Sequence, residues 1–436
     1  MIRDFVADDF FQSPRATRAF PQKCAWEVGV DLNYSPEDEG FRERVRRWFA
    51  EHPPGALDTL EQKKAWQRKL YEAGFVGMGW PREYGGQDAR PMEQAIVAEE
   101  MAAADVPGAI NSLALGLIGP TLIVHGTDEQ KRRYLQRMLT AEEIWCQLYS
   151  EPDSGSDLAS LKTSAVREGD HWSINGQKVW ASLGAYAAFG ILLARTKPNV
   201  PKHQGISYFI LDMRTQGVEV RPLKQITGSS EFAEVFFTNV KVPAENIIGQ
   251  EGQGWELAQT TLGYERGGSV LARVTRHQAN MRRLIEVARA LRRDGQPALE
   301  DPLVRQKLGR MVVEVEVLRY TGFRILSKLE QGTRPGPESS VDKLYYSELD
   351  KRHQELVQDI LGPFGQLEKG LPKELALNSS TMRGDDSTWA YNFLWSRAGT
   401  IYAGSSEIQK NIIGERVLKL PREPRADRAT PSSTGG

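Results

Sequence analysis

Residues 254–273 read GWELAQTTLGYERGGSVLAR, and the helical spacing that sets in here, after a long stretch of strand spacing, divides the chain. At 3.6 residues per turn Ala258, Leu262, Glu265, Ser269 and Ala272 fall on one stripe, so a carboxylate stands in line with small and apolar side chains. A charge is costly there unless something answers it. The positions three and four residues away are Leu262, Thr261, Gly268 and Ser269, so no in-helix ion pair relieves Glu265. Two readings stay open on periodicity alone. The residue turns to solvent or to an arginine of another segment, or it is a desolvated general base with a raised pKa.

The 436 residues are 40% apolar, enough for more than one core and for two or three domains. Lys plus Arg (56) balances Asp plus Glu (57), so no global field points to nucleic acid or an anionic membrane surface. Two cysteines, Cys24 and Cys146, make no disulfide framework, and with Asp4, Asp8 and Asp9 in place of a basic-then-apolar start the expectation is a cytoplasmic protein. The apolar run over residues 109–124 is broken by Asn111, Gly116, Gly119 and Pro120, which predicts a core helix and no membrane span.

In chain order, residues 1–34 form an arm without clear period. Ser35 as N-cap, Pro36 in the first turn and Glu37, Asp38 and Glu39 at the positive end open a helix that Pro53 and Pro54 stop. Further helical stretches over about residues 57–74, 92–104 and 127–139 complete a helical domain, 35–142. Ile144, Cys146 and Leu148 then alternate with Trp145, Gln147 and Tyr149, which is strand spacing. Asn175-Gly176 signals a two-residue hairpin, and strand-like runs continue to Phe237, so residues 143–248 are expected to form a mainly antiparallel β domain. Helical pattern returns over 249–421, with long helices beginning at Asp301-Pro302, near Ser340 and near Ser406, which predicts an antiparallel bundle. Residues 422–436 are too polar and too rich in Pro, Gly and Ser to pack, so they are expected to be a disordered tail.

Three further stretches carry chemistry. In QLYSEPDSGSD (147–157) a strand ends at Ser150 in a loop whose small residues let N–H groups converge on an anion such as a pyrophosphate, although such loops are commonly only turns. KVWAS (178–182) sets Trp180 and the Ser182 hydroxyl two residues apart, suited to covering an isoalloxazine ring, or else an ordinary core tryptophan. In TIYAGSSEIQKNIIGER (400–416), Ala403-Gly404 makes a tight approach, and Ser406 with Gln409 reads as a capping box opening the last helix toward any anion nearby.

Together and in this order these stretches resemble the acyl-CoA dehydrogenase family, over about residues 35–421. The resemblance implies an α+β multidomain fold: an N-terminal helical domain, a central antiparallel β domain and a C-terminal four-helix bundle, with FAD between subunits and the acyl chain threaded between flavin and bundle. It gives the cofactor to Leu148, Ser150, Gly155, Ser156, Trp180, Ser182, Ser405 and Glu407, and the acyl-CoA substrate to Ser156, Tyr264, Arg266 and Gly404. It calls for no metal. Many members carry the base directly before the glycine of the C-terminal segment, and here that residue is Ala403, whose methyl takes no proton. A smaller branch carries it on the bundle helix directly before an arginine, which is Glu265. The implied reaction is α,β-dehydrogenation: the thioester oxygen is polarised by the Ala403 N–H and a flavin hydroxyl, Glu265 takes the α-proton, and the β-hydrogen leaves as hydride to FAD. The product is a trans-2-enoyl-CoA, and electrons pass on to an electron-transfer flavoprotein.

The likeness has gaps. Where members grip the neighbouring subunit's FAD with an arginine and a Phe-Gly pair, this chain reads RRDGQPALEDPLVRQ, with Arg305 as a substitute. DILGPFGQ carries Asp359 and Pro363 where an amide and a glycine are usual. A homo-oligomer, dimer or tetramer, is the family expectation, and a hetero-oligomer with a homologous chain is the alternative. Two other functions stay open: a catalytically silent partner subunit, and a flavin oxidase or monooxygenase on the same scaffold.

Overall fold

A computed structural model of the chain describes residues 34–55, 57–264, 270–333, 336–377 and 388–422. Residues 1–33 of the arm, residues 423–436 of the tail, Glu265, Arg266 and Ser269 lie outside the described residues.

The first part is helical: α1 (Pro36–Glu51), α2 (Leu60–Glu72), α3 (Pro91–Ala103), α4 (Gly119–His125) and α5 (Asp128–Leu139). Ser35 caps α1 by accepting from the Asp38 N–H, and Asp38 returns the bond to the Ser35 N–H. Arg42 and Arg46 bridge α1 to Glu99 and Glu100 of α3 at 2.7–2.9 Å, so the two helices are tied by charge as well as by packing.

Eight strands follow over residues 145–248: β1 (Trp145–Leu148), β2 (Ser164–Glu168), β3 (His171–Ser182), β4 (Phe189–Arg195), β5 (Ile206–Asp212), β6 (Val218–Leu223), β7 (Phe232–Pro243) and β8 (Ile247–Ile248). They form one sheet in the order β6-β7-β3-β2-β4-β5-β8, with β1 beside β4. Pairing is antiparallel except for β1 and β2 against β4. The alternation in the sequence is realised as two cores. Trp145 and Tyr149 join the core shared with the N-terminal helices, whereas Cys146 and Leu148 join the core on the other face.

The hairpin expected at Asn175-Gly176 is not there. β3 runs straight through both residues, with an irregularity in its pairing to β7 between Ile174 and Gly176. Asn175 exchanges hydrogen bonds with Asn239 of β7, and a Cβ on Gly176 would lie 2.6 Å from the Thr163 hydroxyl. The glycine therefore serves close approach inside a long strand, and the turn sits instead at Gly169-Asp170 between β2 and β3.

The helical remainder comprises α6 (Gly254–Tyr264), α7 (Val270–Ala290), α8 (Pro302–Glu330), α9 (Ser339–Leu361), α10 (Trp389–Gly399) and α11 (Ser406–Ile412). Val304, Leu308, Met311, Val315 and Leu318 of α8 alternate by four and three residues and bury their stripe against Met281, Leu284, Leu349, Val357 and Trp389. Each such side chain contributes roughly 1.5–3 kcal/mol on burial.

Inside this apolar bundle His277 and His353 meet, Nδ1 to Nδ1, at 3.3 Å. Burial pushes His277 down to about 4, with Arg276 and Arg273 adding to the effect, and pushes His353 down to about 3, with His277 adding to it. Both rings are neutral in the fold, while the unfolded chain protonates them near 6.5. Stability is therefore fully present above pH 6.5 and is lost as pH falls toward 4. Asp342, pushed up to about 6 by burial against the pull of Arg273, acts in the opposite sense over part of that range, but one carboxyl does not offset two histidines. The expected result is a melting temperature that drops between pH 6.5 and 4, with a shallower slope in His353→Gln. Identical slopes in variant and parent, measured by circular dichroism melts, would remove the pair from this role.

Candidate active site

Leu148 closes β1 opposite Leu192, its side chain buried so tightly over Gly190 that a Cβ there would lie 2.6 Å from Leu148 Cδ1. What Leu148 could offer a ligand is therefore backbone. Beyond it the Ser150 carbonyl accepts the Val179 N–H at 2.9 Å, which stitches the strand end to β3. On either side of this stitch the Lys178 ammonium donates to the Tyr149 carbonyl at 2.9 Å and to Glu151 Oε1 at 2.8 Å. Glu151 also accepts the N–H groups of Lys162 and Thr163 at 2.6 and 2.9 Å. Lys178 is wholly buried, which pushes its ammonium down to about 8 against the pull of Glu151. Burial works to raise the Glu151 carboxyl, but Lys178 and the N–H donors outweigh it and hold it below its ordinary value. Both groups are charged at neutral pH. Sequence reading passed over this pair, although a lysine on an apolar strand two residues before Trp180 was a usable signal.

The loop after Glu151 is a closed turn. Glu151 and Ser154 exchange backbone bonds at 3.0 Å, and the Ser154 hydroxyl donates to the Asp157 carbonyl at 2.7 Å. Lys202 holds the Asp157 carboxylate at 2.7 Å and, by that bond, below its ordinary pKa. Gly155 and Ser156 form the exposed tip, with open space where a Cβ of Gly155 would stand.

Trp180 sits at a bulge in β3 with a left-handed backbone, φ +61, where pairing to β7 slips between Lys178 and Ala181. The bulge turns its indole outward. At 58% exposure it is not a core tryptophan. Its edge meets Phe232, which stacks on Trp395 of α10 at 5.8 Å and 7°, and Trp395 stacks in turn on Tyr391. The Tyr391 hydroxyl donates to Glu231 at 3.0 Å. Ser182, half-buried, pairs with Phe232 in the ladder. A column of rings thus ties the end of β3 and the start of β7 to α10, and α10 leads into the segment around residue 403.

There Ala403 and Gly404 are consecutive left-handed residues, φ +54 and +84. Lys343 of α9 donates to the carbonyls of Gly399 and Gly404 at 2.9 and 2.8 Å, and Gln409 Nε2 donates to those of Ala403 and Gly404. The capping box expected of Ser406 and Gln409 is corrected by one residue. Ser405 is the N-cap, accepting the Ile408 N–H, while Ser406 donates to Glu348 Oε1 at 2.7 Å and Gln409 reaches back to the turn. Glu407 stands exposed in the first turn, held below its ordinary pKa by its own backbone N–H and the Ser405 hydroxyl. Tyr264, half-buried, is the last residue of α6. Ser150, Trp180 and Ser182 are thus joined through β3, Ala403, Gly404, Ser405 and Glu407 share one turn, and Gly155 and Ser156 form a separate tip.

Three family models match the chain: acyl-CoA dehydrogenase N-terminal domain over residues 35–142, middle domain over 146–240 and C-terminal domain over 252–418. Acyl-CoA dehydrogenase IpdE1 of Mycobacterium tuberculosis is 38% identical over 406 residues, covering 89% of this chain and 99% of the relative. Among solved structures, the ChsE4-ChsE5 complex from Mycobacterium tuberculosis matches with TM-score 0.77 and 30% identity over 90% of this chain and 100% of the matched one. A steroid ACAD named Tcur3481-Tcur3483 matches with TM-score 0.77 and 27% identity over the same shares. The chain belongs to the acyl-CoA dehydrogenase family and is an oxidoreductase.

Proposed function

We propose that the protein catalyses the α,β-dehydrogenation of an acyl-CoA thioester to a trans-2-enoyl-CoA, with FAD as cofactor, Glu265 as base and an electron-transfer flavoprotein as acceptor. The observation that carries this reading is Trp180: a large flat ring presented to solvent by a strained bulge, beside the Ser150 and Ser182 positions, is a platform for a planar heterocycle. Ser150, Ser182 and the backbone of Leu148 would hold the ring system. Ser405 and Glu407, at the start of α11, would also contact the cofactor, and Gly155 and Ser156 would meet its pyrophosphate or the CoA. Bound FAD would supply the hydride acceptor.

The chain's own residues divide the remaining work. The Ala403 N–H, on a turn fixed by Lys343 and Gln409, donates to the thioester oxygen as charge develops there. Gly404, Tyr264 and Arg266 line the substrate path. Glu265 takes the α-proton, the task Ala403 cannot perform. Because the structural neighbours include a steroid ACAD, ring-bearing acyl thioesters stand first in the panel of substrates to test.

One observation favours assembly with a second, homologous chain over a homo-oligomer. Arg293 donates to the Asp359 and Ile360 carbonyls at the end of α9, Lys307 pairs with Asp359 at 2.8 Å, and Arg305 lies 3.6 Å from Glu300. These cations are occupied within the chain, and Pro363 has no N–H to offer. The face expected to grip a neighbour's FAD is thereby weakened, and the two structural neighbours above carry paired protein names.

Glu265→Gln should keep FAD and abolish its bleaching by acyl-CoA under nitrogen, and full bleaching in that variant would refute the base. Trp180→Ala should weaken FAD binding by about tenfold or more, read as flavin per chain after dialysis, and unchanged retention would count against the platform. Purified alone, the chain should hold less than one FAD per polypeptide. A stable homo-oligomer with full occupancy, by light scattering and flavin absorbance, would overturn the two-chain assembly. Slow reoxidation of the substrate-reduced protein in air separates the dehydrogenase reading from an oxidase.

A further inference from the structure

Asp342 and Tyr346 stand four residues apart on one face of α9, and Arg273 of α7 reaches both. Arg273 Nη1 lies 3.8 Å from Asp342 Oδ2, and its guanidinium rests over the Tyr346 ring, 4.9 Å from the centroid. At that separation the two charges attract each other across a gap too long for a hydrogen bond. The Asp342 side chain is 4% exposed, and its other oxygen, Oδ1, meets no donor among the described residues. Burial pushes this carboxyl up to about 6, with Arg273 pulling the other way, so it is charged at neutral pH. A buried carboxylate ordinarily gathers several donors, as Glu151 does from Lys178, Lys162 and Thr163. Asp342 does not. Arg273, 27% exposed, leaves the cluster open on one side, and its contact with a ring face does not consume the N–H donors in the plane of the guanidinium.

The cluster adjoins the turn at Gly404. Burial raises the Tyr346 phenol, and Asp350 and Tyr402 raise it further, Tyr402 being the residue directly before Ala403. Lys343, next to Asp342, lies 5.8 Å from the Tyr402 ring centroid and bonds the Gly399 and Gly404 carbonyls. Buried His277 meets Tyr346 with the rings at 68° and their centroids 5.4 Å apart. The ring that carries Arg273 is therefore fixed between the bundle core and the turn.

The chemistry of the two open groups selects what they bind. An alkyl group answers neither of them. A carboxylate sets a second negative charge against Asp342, and a ketone accepts from Arg273 but brings Asp342 no donor. A hydroxyl serves both, its oxygen accepting from Arg273 while its hydrogen goes to Asp342. We propose that Arg273 and Asp342 form a binding site for a hydroxyl group on the acyl part of the substrate. The proposal rests on the acyl-CoA dehydrogenase reading of the Ala403-Gly404 turn, and it places the substrate among hydroxylated acyl thioesters. A thioester without that hydroxyl desolvates Asp342 and returns no donor, which is the source of discrimination.

The test uses the full-length, FAD-loaded protein under nitrogen, with flavin bleaching followed in stopped flow for matched pairs of thioesters. The pairs are ω-hydroxyacyl-CoA against acyl-CoA from hexanoyl to dodecanoyl, and hydroxycyclohexylpropanoyl-CoA against cyclohexylpropanoyl-CoA. At subsaturating substrate the hydroxylated member of at least one pair should react about tenfold faster or more. Asp342→Leu and Arg273→Met should each erase that ratio, while the plain thioester reacts at least as fast as with the parent protein. Asp342→Asn, of unchanged shape, should reduce the ratio as well. Because the ratio is taken within one protein, a loss of folded or flavin-loaded molecules cancels from it, and a purely structural role would lower both members of a pair alike. No preference for a hydroxyl in any pair, or a preference that survives in Asp342→Leu and Arg273→Met, would overturn the site and leave the dehydrogenase reading standing. Bleaching by none of the thioesters would overturn that reading, and the site with it.

Discussion

The Lys178 ammonium, wholly buried, depends for its charge on two acceptors, Glu151 and the Tyr149 carbonyl, and the strand end is built to meet that demand. Removing one partner of such a pair costs roughly 3–5 kcal/mol, because the other charge is then left unanswered in a low-dielectric interior. The geometry of β1, β3 and the loop to Asp157 follows. Ser150 is clamped between two residues that Lys178 touches, the Glu151 carboxylate also gathers the N–H groups of Lys162 and Thr163, and β3 cannot slide without breaking the pair.

With β3 fixed, the bulge at Trp180 becomes tolerable. A left-handed tryptophan costs of order 1–3 kcal/mol, which local contacts alone do not return, and the paired strand on both sides of the slip holds it in place. The strain presents an aromatic face that none of the described residues covers completely. The same economy recurs at Ala403-Gly404, where Lys343 and Gln409 draw two carbonyls aside and hold consecutive left-handed residues. Both places where backbone strain coincides with the recognised motifs are held by a buried or half-buried lysine reaching main-chain carbonyls.

The bundle does different work. Its core is largely apolar over α7 to α10, and among its buried polar groups His277 and His353 contact each other. Together with the buried hydroxyls of Tyr208, Thr261 and Thr121, which hydrogen-bond to one another between β5, α6 and α4, this contact gives the helices polar contacts that set registry, since apolar packing alone allows neighbouring helices to rotate at small cost.

The order of helical, strand and helical regions was legible in the sequence, because hydrophobic periods of 3.6 and 2 follow from backbone geometry and persist whatever the partner. So were Ser35 as a cap and the small residues of the loop and the turn, since each acts within a few residues of itself. Asn175-Gly176 misled because a glycine that lets two strands approach looks, in one dimension, like a glycine that turns a chain, and Ser405 was missed as the cap because the serine beside it satisfies the same local pattern. Only the tertiary structure decided that Trp180 faces outward, that Lys178 pairs with Glu151, and that Tyr149, Tyr208, Thr261 and Thr121 touch. These facts join residues 27 to 140 positions apart, and a contact at that separation leaves no period in the chain for sequence reading to find.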